Sequence, residues 1–115
     1  MKEKQLQDIT ALYGRLSRDD EVGGESMSIQ SQRAILGQYA KEHGFTNCRF
    51  FMDDGYSGTN FDRPAFTEMM EQVEQRRVRT IIVKDLSRLG RNYLEVGRYT
   101  EVIFPENKVR FIAIT

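Results

Sequence analysis

Several chemistries are excluded by what this chain has little of. A single cysteine in 115 residues, Cys48, cannot close an intramolecular disulfide or assemble a thiolate metal cluster. Such cysteine usage fits a reducing, cytoplasmic setting. A single histidine, His43, makes a Ser-His-Asp hydrolase improbable, and no Gly-x-Ser-x-Gly elbow is present. The Walker phosphate loop and the dinucleotide glycine fingerprint are also absent. No apolar run reaches the roughly 20 residues needed to span a bilayer. Residues 1–8 mix Lys, Glu and Gln where a signal peptide would be apolar. Net charge is zero, which taken alone argues against a free-standing nucleic-acid binder.

What is present describes one compact domain. The length suits a single hydrophobic core, and 39% hydrophobic with 30% charged residues is an ordinary balance that argues against wholesale disorder. The charge is unevenly spread. Residues 53–74 hold six acids against one base, Arg63, and residues 76–98 hold seven bases against two acids, Asp85 and Glu95. Twelve of the seventeen basic residues are Arg, whose planar fork of donors suits bidentate phosphate binding. Surface solubility would account for the same bias, so it permits a phosphate ligand without requiring one.

Residues 9–13 form a short β-prone run that leads through Gly14 into a polar stretch, where Gly23 and Gly24 read as a loop. A helix is expected from Ser26 or Ser28, with Ile29, Leu36, Tyr39 and Ala40 on its apolar stripe and Gly44 as its stop. Residues 50–52 read as a second strand. Pro64 suits the first turn of a helix in which Phe66, Met69, Met70 and Val73 follow helical spacing. Residues 80–83 are expected as a strand buried on both faces. A further helix carries Tyr93, Val96 and Ile103 on its core side and Arg91, Glu95 and Arg98 opposite, and is expected to end at Pro105. Residues 109–114 make a last strand. The order β-α-β-α-β-α-β predicts the α/β class, with a mainly parallel sheet of four to five strands and helices on both faces. Sites in such sheets lie beyond the carboxyl ends of the strands, here residues 14–18, 53–57 and 84–91.

Those three segments carry most of the interesting polar residues. Serine is a weak nucleophile that normally needs a base. His43, expected at a helix C-terminus, interacts favourably there with the last carbonyls, which reads as a structural or exposed role. Asp53 and Asp54 adjoin each other with no His or Glu partner at ligand spacing, and read more readily as a turn than as a metal site. What remains is serine with arginine. Arg15 and Ser17 are two apart, so in an extended segment they point the same way. Arg88 and Arg91 are one helical turn apart, and Arg63 stands at a helix entrance. Converging on one phosphodiester, four guanidinium groups would neutralise its charge and stabilise a pentacoordinate transition state. Alternatively, they are separate solvated residues.

These positions carry a resemblance. Tyr13-Gly14-Arg15-Leu16-Ser17 resembles the Tyr-x-Arg-x-Ser nucleophile motif of the serine site-specific recombinases, the resolvases, invertases and large transposon integrases. Ser28-Ile29-Gln30-Ser31-Gln32-Arg33 is similar to the segment that starts their first helix. Asp54-Gly55-Tyr56-Ser57-Gly58, followed by Asp62-Arg63-Pro64-Ala65-Phe66, looks like their second block, and residues 82–92 like their third. Four motifs in order, spanning residues 9–115, make the likeness specific to the N-terminal catalytic domain. One position departs: resolvases and invertases usually carry Asp directly before the first arginine of the third block, and here it is Ser87. That serine, with Glu25-Ser26-Met27-Ser28-Ile29, looks more like the large transposon recombinases.

The resemblance implies Ser17 as nucleophile and Arg15, Arg63, Arg88 and Arg91 as the phosphate-binding cluster, with Tyr13 and Ser87 as accessory positions beside them. Gln32 becomes an accessory residue, which agrees with its polar side chain lying three residues after Ile29 on the apolar stripe. A buried amide there needs a partner, and active-site arginines would supply one. Asp54 and Ser57 either order the second loop or are ordinary turn residues. The resemblance further implies a bacterial cytoplasmic protein that uses neither ATP nor a metal ion or other cofactor. Its partners would be DNA and copies of itself, as a dimer or tetramer. Residues 1–115 would then be a catalytic domain without the long dimerisation helix and DNA-binding domains that follow in the family. Two alternatives stay open: an α/β domain that binds a small phosphorylated ligand, and a protein-interaction domain without catalysis.

Overall fold

The computed structural model describes residues 8–17 and 28–115. The loop glycines Gly23 and Gly24 and the alternative helix start at Ser26 lie outside the described residues. Strand β1 (Ile9–Leu16) is followed by helix α1 (Ile29–Glu42), strand β2 (Cys48–Asp54), helix α2 (Pro64–Glu74) and strand β3 (Val78–Val83). A one-turn helix α3 (Leu86–Leu89) precedes α4 (Tyr93–Arg98), which runs through a π-turn (Tyr99–Ile103) into α5 (Phe104–Glu106) and strand β4 (Arg110–Ala113). Among the described residues the four strands form one sheet in the order β2-β1-β3-β4, and each neighbouring pair is parallel. The expected α/β class and parallel sheet are therefore observed.

Alternation along β1 divides the core. Ile9, Ala11 and Tyr13 pack with Phe66, Met69 and Val73 of α2, and with Val96 and Phe104. Leu12 points the other way, towards Leu36 and Ala40 of α1 and Ile82. Helices thus cover both faces, and β3 is buried on both from Thr80 to Val83, as its unbroken β-branched run predicts. The Ser28 hydroxyl caps α1 by accepting the Ser31 N–H at 3.1 Å. Gly44, at φ 75°, supplies the left-handed stop.

The structure corrects the sequence reading in four places, the first being that β2 runs from Cys48 to Asp54, beyond the expected 50–52. β1 runs on to Leu16, so Gly14 and Arg15 belong to the strand and Ser17 follows it directly. Tyr93 is not a core residue: it is 88% exposed. As the first residue of α4 it leans back towards the N-terminus, beyond the turn that the core covers, while Val96 one turn on is buried. Pro105 does not end the helix, which continues through Glu106. Just ahead of it the Phe104 N–H reaches back five residues to the Tyr99 carbonyl. That widened turn replaces the tighter ladder that a proline ring would break. Among the described residues no helix is long and apolar enough to cross a membrane.

The two faces differ in what single changes should do. Phe66 is buried and meets Tyr13 and Tyr99 edge-on and Phe61 at a tilt. Phe66→Ala is expected to cost roughly 3–5 kcal/mol, whereas Tyr93→Ala should stay within about 0.5 kcal/mol. Urea unfolding followed by circular dichroism measures both.

Candidate active site

β1 pairs with β2 on one side and β3 on the other, so the chain changes direction across the sheet at the β1/β3 boundary. The crevice beyond the carboxyl ends at such a boundary is where open α/β sheets place their sites. Arg15 stands there, fully buried. Its guanidinium donates from Nη2 to the Ser87 carbonyl at 2.7 Å, from Nε to the Arg88 carbonyl at 3.3 Å and from Nη1 to the Tyr56 carbonyl at 3.1 Å. β1, the loop after β2 and the turn after β3 meet on this one side chain.

Arg63 reaches the same turn from the start of α2 and is 1% exposed. It donates to the carbonyls of Asn60 at 3.1 Å, Arg88 at 3.3 Å and Leu89. It also donates to the Tyr13 hydroxyl at 2.9 Å. The rings of Phe61 and Phe66 lie 4.6 and 4.9 Å from its guanidinium carbon, within cation–π range. Burying a cation is costly unless its donors are satisfied, and here carbonyls and a phenol oxygen satisfy them.

Arg88, 6% exposed, donates from Nη1 to the Arg15 carbonyl at 3.2 Å. Its Nε lies 3.6 Å from the carboxylate of Asp85. Arg91 is exposed, and its backbone N–H bonds the Gly58 carbonyl at 2.7 Å. A Cβ on Gly58 would lie 2.7 Å from Arg15 Nη2 and 3.0 Å from Arg91 Cγ, so both arginines crowd the place where a side chain would stand. The four arginines expected to converge are thus brought together. Burial, then the charges of Arg63, Arg91 and Arg88, push Arg15 down to about 10 from its ordinary 12.5. At neutral pH it keeps its proton, and the site remains strongly cationic.

Ser17 follows β1 directly, two residues beyond Arg15, and is 5% exposed. Gln32 is fully buried. Its amide pairs with the main chain of Arg15, accepting the N–H at 3.2 Å and donating to the carbonyl at 3.1 Å. The partner expected for this amide is therefore an active-site arginine, through its backbone rather than its guanidinium. Gly14 permits the approach, since a Cβ there would lie 2.9 Å from Gln32 Oε1 and 2.6 Å from Met52 Sδ.

The remaining expected positions fall around this centre. The Tyr13 hydroxyl donates to Asp53 Oδ2 at 2.7 Å, and burial above all holds its phenol well above the ordinary range. Ser57 orders its own loop by accepting the Thr59 N–H at 3.1 Å. Asp54 closes β2 with its side chain exposed. The Ser87 hydroxyl donates to Asp85, while its carbonyl serves Arg15. His43 lies outside the site, stacked on Tyr39 at the end of α1. Among the described residues no three His, Cys, Asp or Glu side chains gather as metal ligands.

Asp53 is the residue that sequence reasoning missed. It is buried and accepts the Ala65 and Phe66 N–H groups at 2.8 and 2.9 Å. It thereby caps α2, whose own N-cap residue, Arg63, makes no side-chain cap. An arginine at an N-cap, with no acceptor of its own, was the one available signal that a distant acid must serve.

The family model "Resolvase, N terminal domain" matches residues 10–115, and the chain belongs to that family. The N-terminal catalytic domain of TP901-1 integrase superposes with a TM-score of 0.78 at 27% identity, over 93% of this chain and 77% of that one. The C-terminal catalytic domain of ISC1926 TnpA, an IS607-like serine recombinase, shares the fold with a TM-score of 0.71 at 24% identity, over 92% and 68%. In sequence the chain is 30% identical over 64 residues to uncharacterized immunity region protein 3 of Bacillus phage phi105, covering 56% of this chain and 77% of that protein. The protein is a serine recombinase domain of the resolvase type, whose general activity is site-specific DNA recombination.

Two substitutions separate stability from site geometry. Gln32→Leu leaves the Arg15 N–H and carbonyl buried without their amide, and should cost roughly 1–3 kcal/mol in denaturant unfolding. Gly58→Ala should cost no more than about 3 kcal/mol, because guanidinium and stem can yield. It should nevertheless displace Arg15 from Ser87, which a crystal structure of the variant would reveal.

Proposed function

We propose that Ser17 is the nucleophile of a DNA strand-cutting and rejoining reaction, and that Arg15, Arg63, Arg88 and Arg91 form its electrostatic machinery. The observation that carries this reading is the clustering itself: Arg63, Arg88 and Arg91 gather around buried Arg15, which stands on β1 two residues before Ser17, the residue that follows the strand. Ser17 Oγ attacks the phosphorus, the bond from phosphorus to the 3′ oxygen breaks, and a 5′-phosphoserine forms. The serine loses its proton in the attack, and the leaving 3′ oxygen gains one. The free 3′-hydroxyl later reverses the step on a new partner strand. Because the phosphoserine conserves the bond energy, no ATP is consumed.

Electrostatic stabilisation is the main demand of phosphoryl transfer, and arginine supplies it without a metal ion. In this reading Arg88 and Arg91, the less enclosed pair, meet the phosphate oxygens, while Arg15 and Arg63 fix the turn that presents them. Four subunits cutting two duplexes would accomplish excision or integration of a mobile element in a bacterial cytoplasm. The neutral net charge of these 115 residues points to weak, salt-sensitive backbone binding by the domain itself.

The test uses the natural-length protein with a nicked DNA that traps the cleaved state, resolved on a denaturing gel. A covalent adduct is expected for wild type and none for Ser17→Ala. Arg88→Ala should slow adduct formation by roughly 100-fold or more while DNA binding persists. A Ser17→Ala protein that still forms the adduct would remove Ser17 from the reaction.

A further inference from the structure

Tyr93 is 88% exposed, although its spacing is that of a core residue. A single exposed aromatic needs no explanation by itself. What distinguishes this one is its place. A helical side chain leans towards its helix's N-terminus, and α4 begins just beyond Arg91. The Arg91 N–H is held by the Gly58 carbonyl at 2.7 Å, and Asn92 caps α4 by accepting the Glu95 N–H at 3.2 Å. The ring therefore projects from a backbone that is tied down on the Arg91 side. Together with Leu86, Ser87, Gly90, Arg91 and Val96 it lines a hollow of about 150 Å³. Ser87 and Arg91 belong to the site, the first through the carbonyl that holds Arg15. Leu86, Val96 and the Tyr93 ring are apolar. An apolar hollow adjoining an arginine of the phosphate cluster suits the nucleoside attached to a phosphate better than it suits a second anion.

We propose that this hollow is a nucleotide subsite: Tyr93 stacks on the base of the nucleotide that strand cleavage leaves on Ser17. The proposal rests on the catalytic reading given above. In an intact duplex that base is stacked on its neighbour across the scissile phosphate and offers the ring no face. Once the bond from phosphorus to the 3′ oxygen breaks and that strand departs, the face is left to water. The Tyr93 ring takes the place of the lost neighbour. Because every base has a π-face, such stacking tolerates any base. The subsite thus favours the cleaved state without reading sequence. The apolar surface continues along α4 to Leu94, 80% exposed, so a protein partner is the competing occupant. The presence of Arg91 and Ser87 in the lining favours the nucleotide.

The test uses the natural-length protein carrying Ser17→Ala, which forms no covalent bond, and DNA whose cleavage position is known from covalent capture. One DNA is the intact duplex. The other ends at the cleavage position with a 5′ phosphate on a fluorescent purine analogue. Tyr93→Ala removes a side chain that nothing packs over, so the fold should persist. With Tyr93 in place, binding is expected to quench the terminal purine. In Tyr93→Ala the quenching should disappear, and affinity for the phosphorylated end should fall roughly 10-fold at unchanged affinity for the intact duplex. Tyr93→Phe keeps the ring and should keep both properties.

Equal losses on the two DNAs, or quenching that survives in Tyr93→Ala, overturn the proposal. So does a changed oligomeric state in sedimentation with both DNA measurements unaltered, which assigns Tyr93 to a protein contact. Absence of a Ser17-dependent adduct in the wild type overturns the catalytic reading, and the subsite falls with it.

Discussion

Two buried guanidinium groups bind one end of this sheet together where strand pairing stops. A one-turn helix leaves its last carbonyls without intrahelical partners, and in α3 these belong to Ser87, Arg88 and Leu89. Arg15 takes the first two and Arg63 the last two. Orphan acceptors thus meet cations that burial would otherwise make very costly, and each group offsets the other's desolvation. Because Arg15 comes from β1 and Arg63 from the entrance of α2, the exchange fixes three segments far apart in sequence. Gly58 and Gly14 follow from it, as the places where the arginine and the amide holding its backbone pass too close for a Cβ.

The same arrangement explains how a site can be cationic and ordered at once. Mutual repulsion would spread four guanidinium groups apart in solvent. Here Arg15 and Arg63 are pinned by carbonyl dipoles, and Asp85 stands beside Arg88. Burial first, and then what repulsion remains, lowers the pKa of Arg15, and a bound phosphate diester would relieve the repulsion. Buried arginines bonded to carbonyls beside an exposed Arg91 form the kind of arrangement that the proposed preorganised electrostatic stabilisation would use.

Much of this was legible in the sequence because period and motif agreed. The β-branched run at 80–83 foretold a strand buried on both faces. Gln32, a polar residue on an apolar stripe, announced a buried partner, and that partner proved to be Arg15. The failures share a cause. Tyr93 has the spacing of a core residue, but spacing does not say where a helix outruns the core beneath it. Pro105 is a helix stop only if the turn before it keeps the ordinary ladder. Asp53 looked like half of an acidic turn because its partners, Tyr13 and the N–H groups of Ala65 and Phe66, lie 40, 12 and 13 positions away. Local pattern reads faces, whereas tertiary pairing decides which end of a face is covered and which acid serves which helix.

The structure also bears on the rival reading of a domain that cradles a small phosphorylated ligand. Such a cradle needs backbone N–H groups open at a helix N-terminus. At α2 the Ala65 and Phe66 N–H groups are occupied by the carboxylate of Asp53, whose negative charge would repel a phosphate. At α4 the Asn92 side chain accepts the Glu95 N–H, and at α1 Ser28 does the same for Ser31. The backbone turned towards Arg15 offers the opposite polarity, the carbonyls of Tyr56, Ser87 and Arg88. Carbonyls repel an anion. Among the described residues, a phosphate drawn to this end of the sheet meets guanidinium groups rather than an open backbone cradle, as the proposed cleavage by serine and arginine requires.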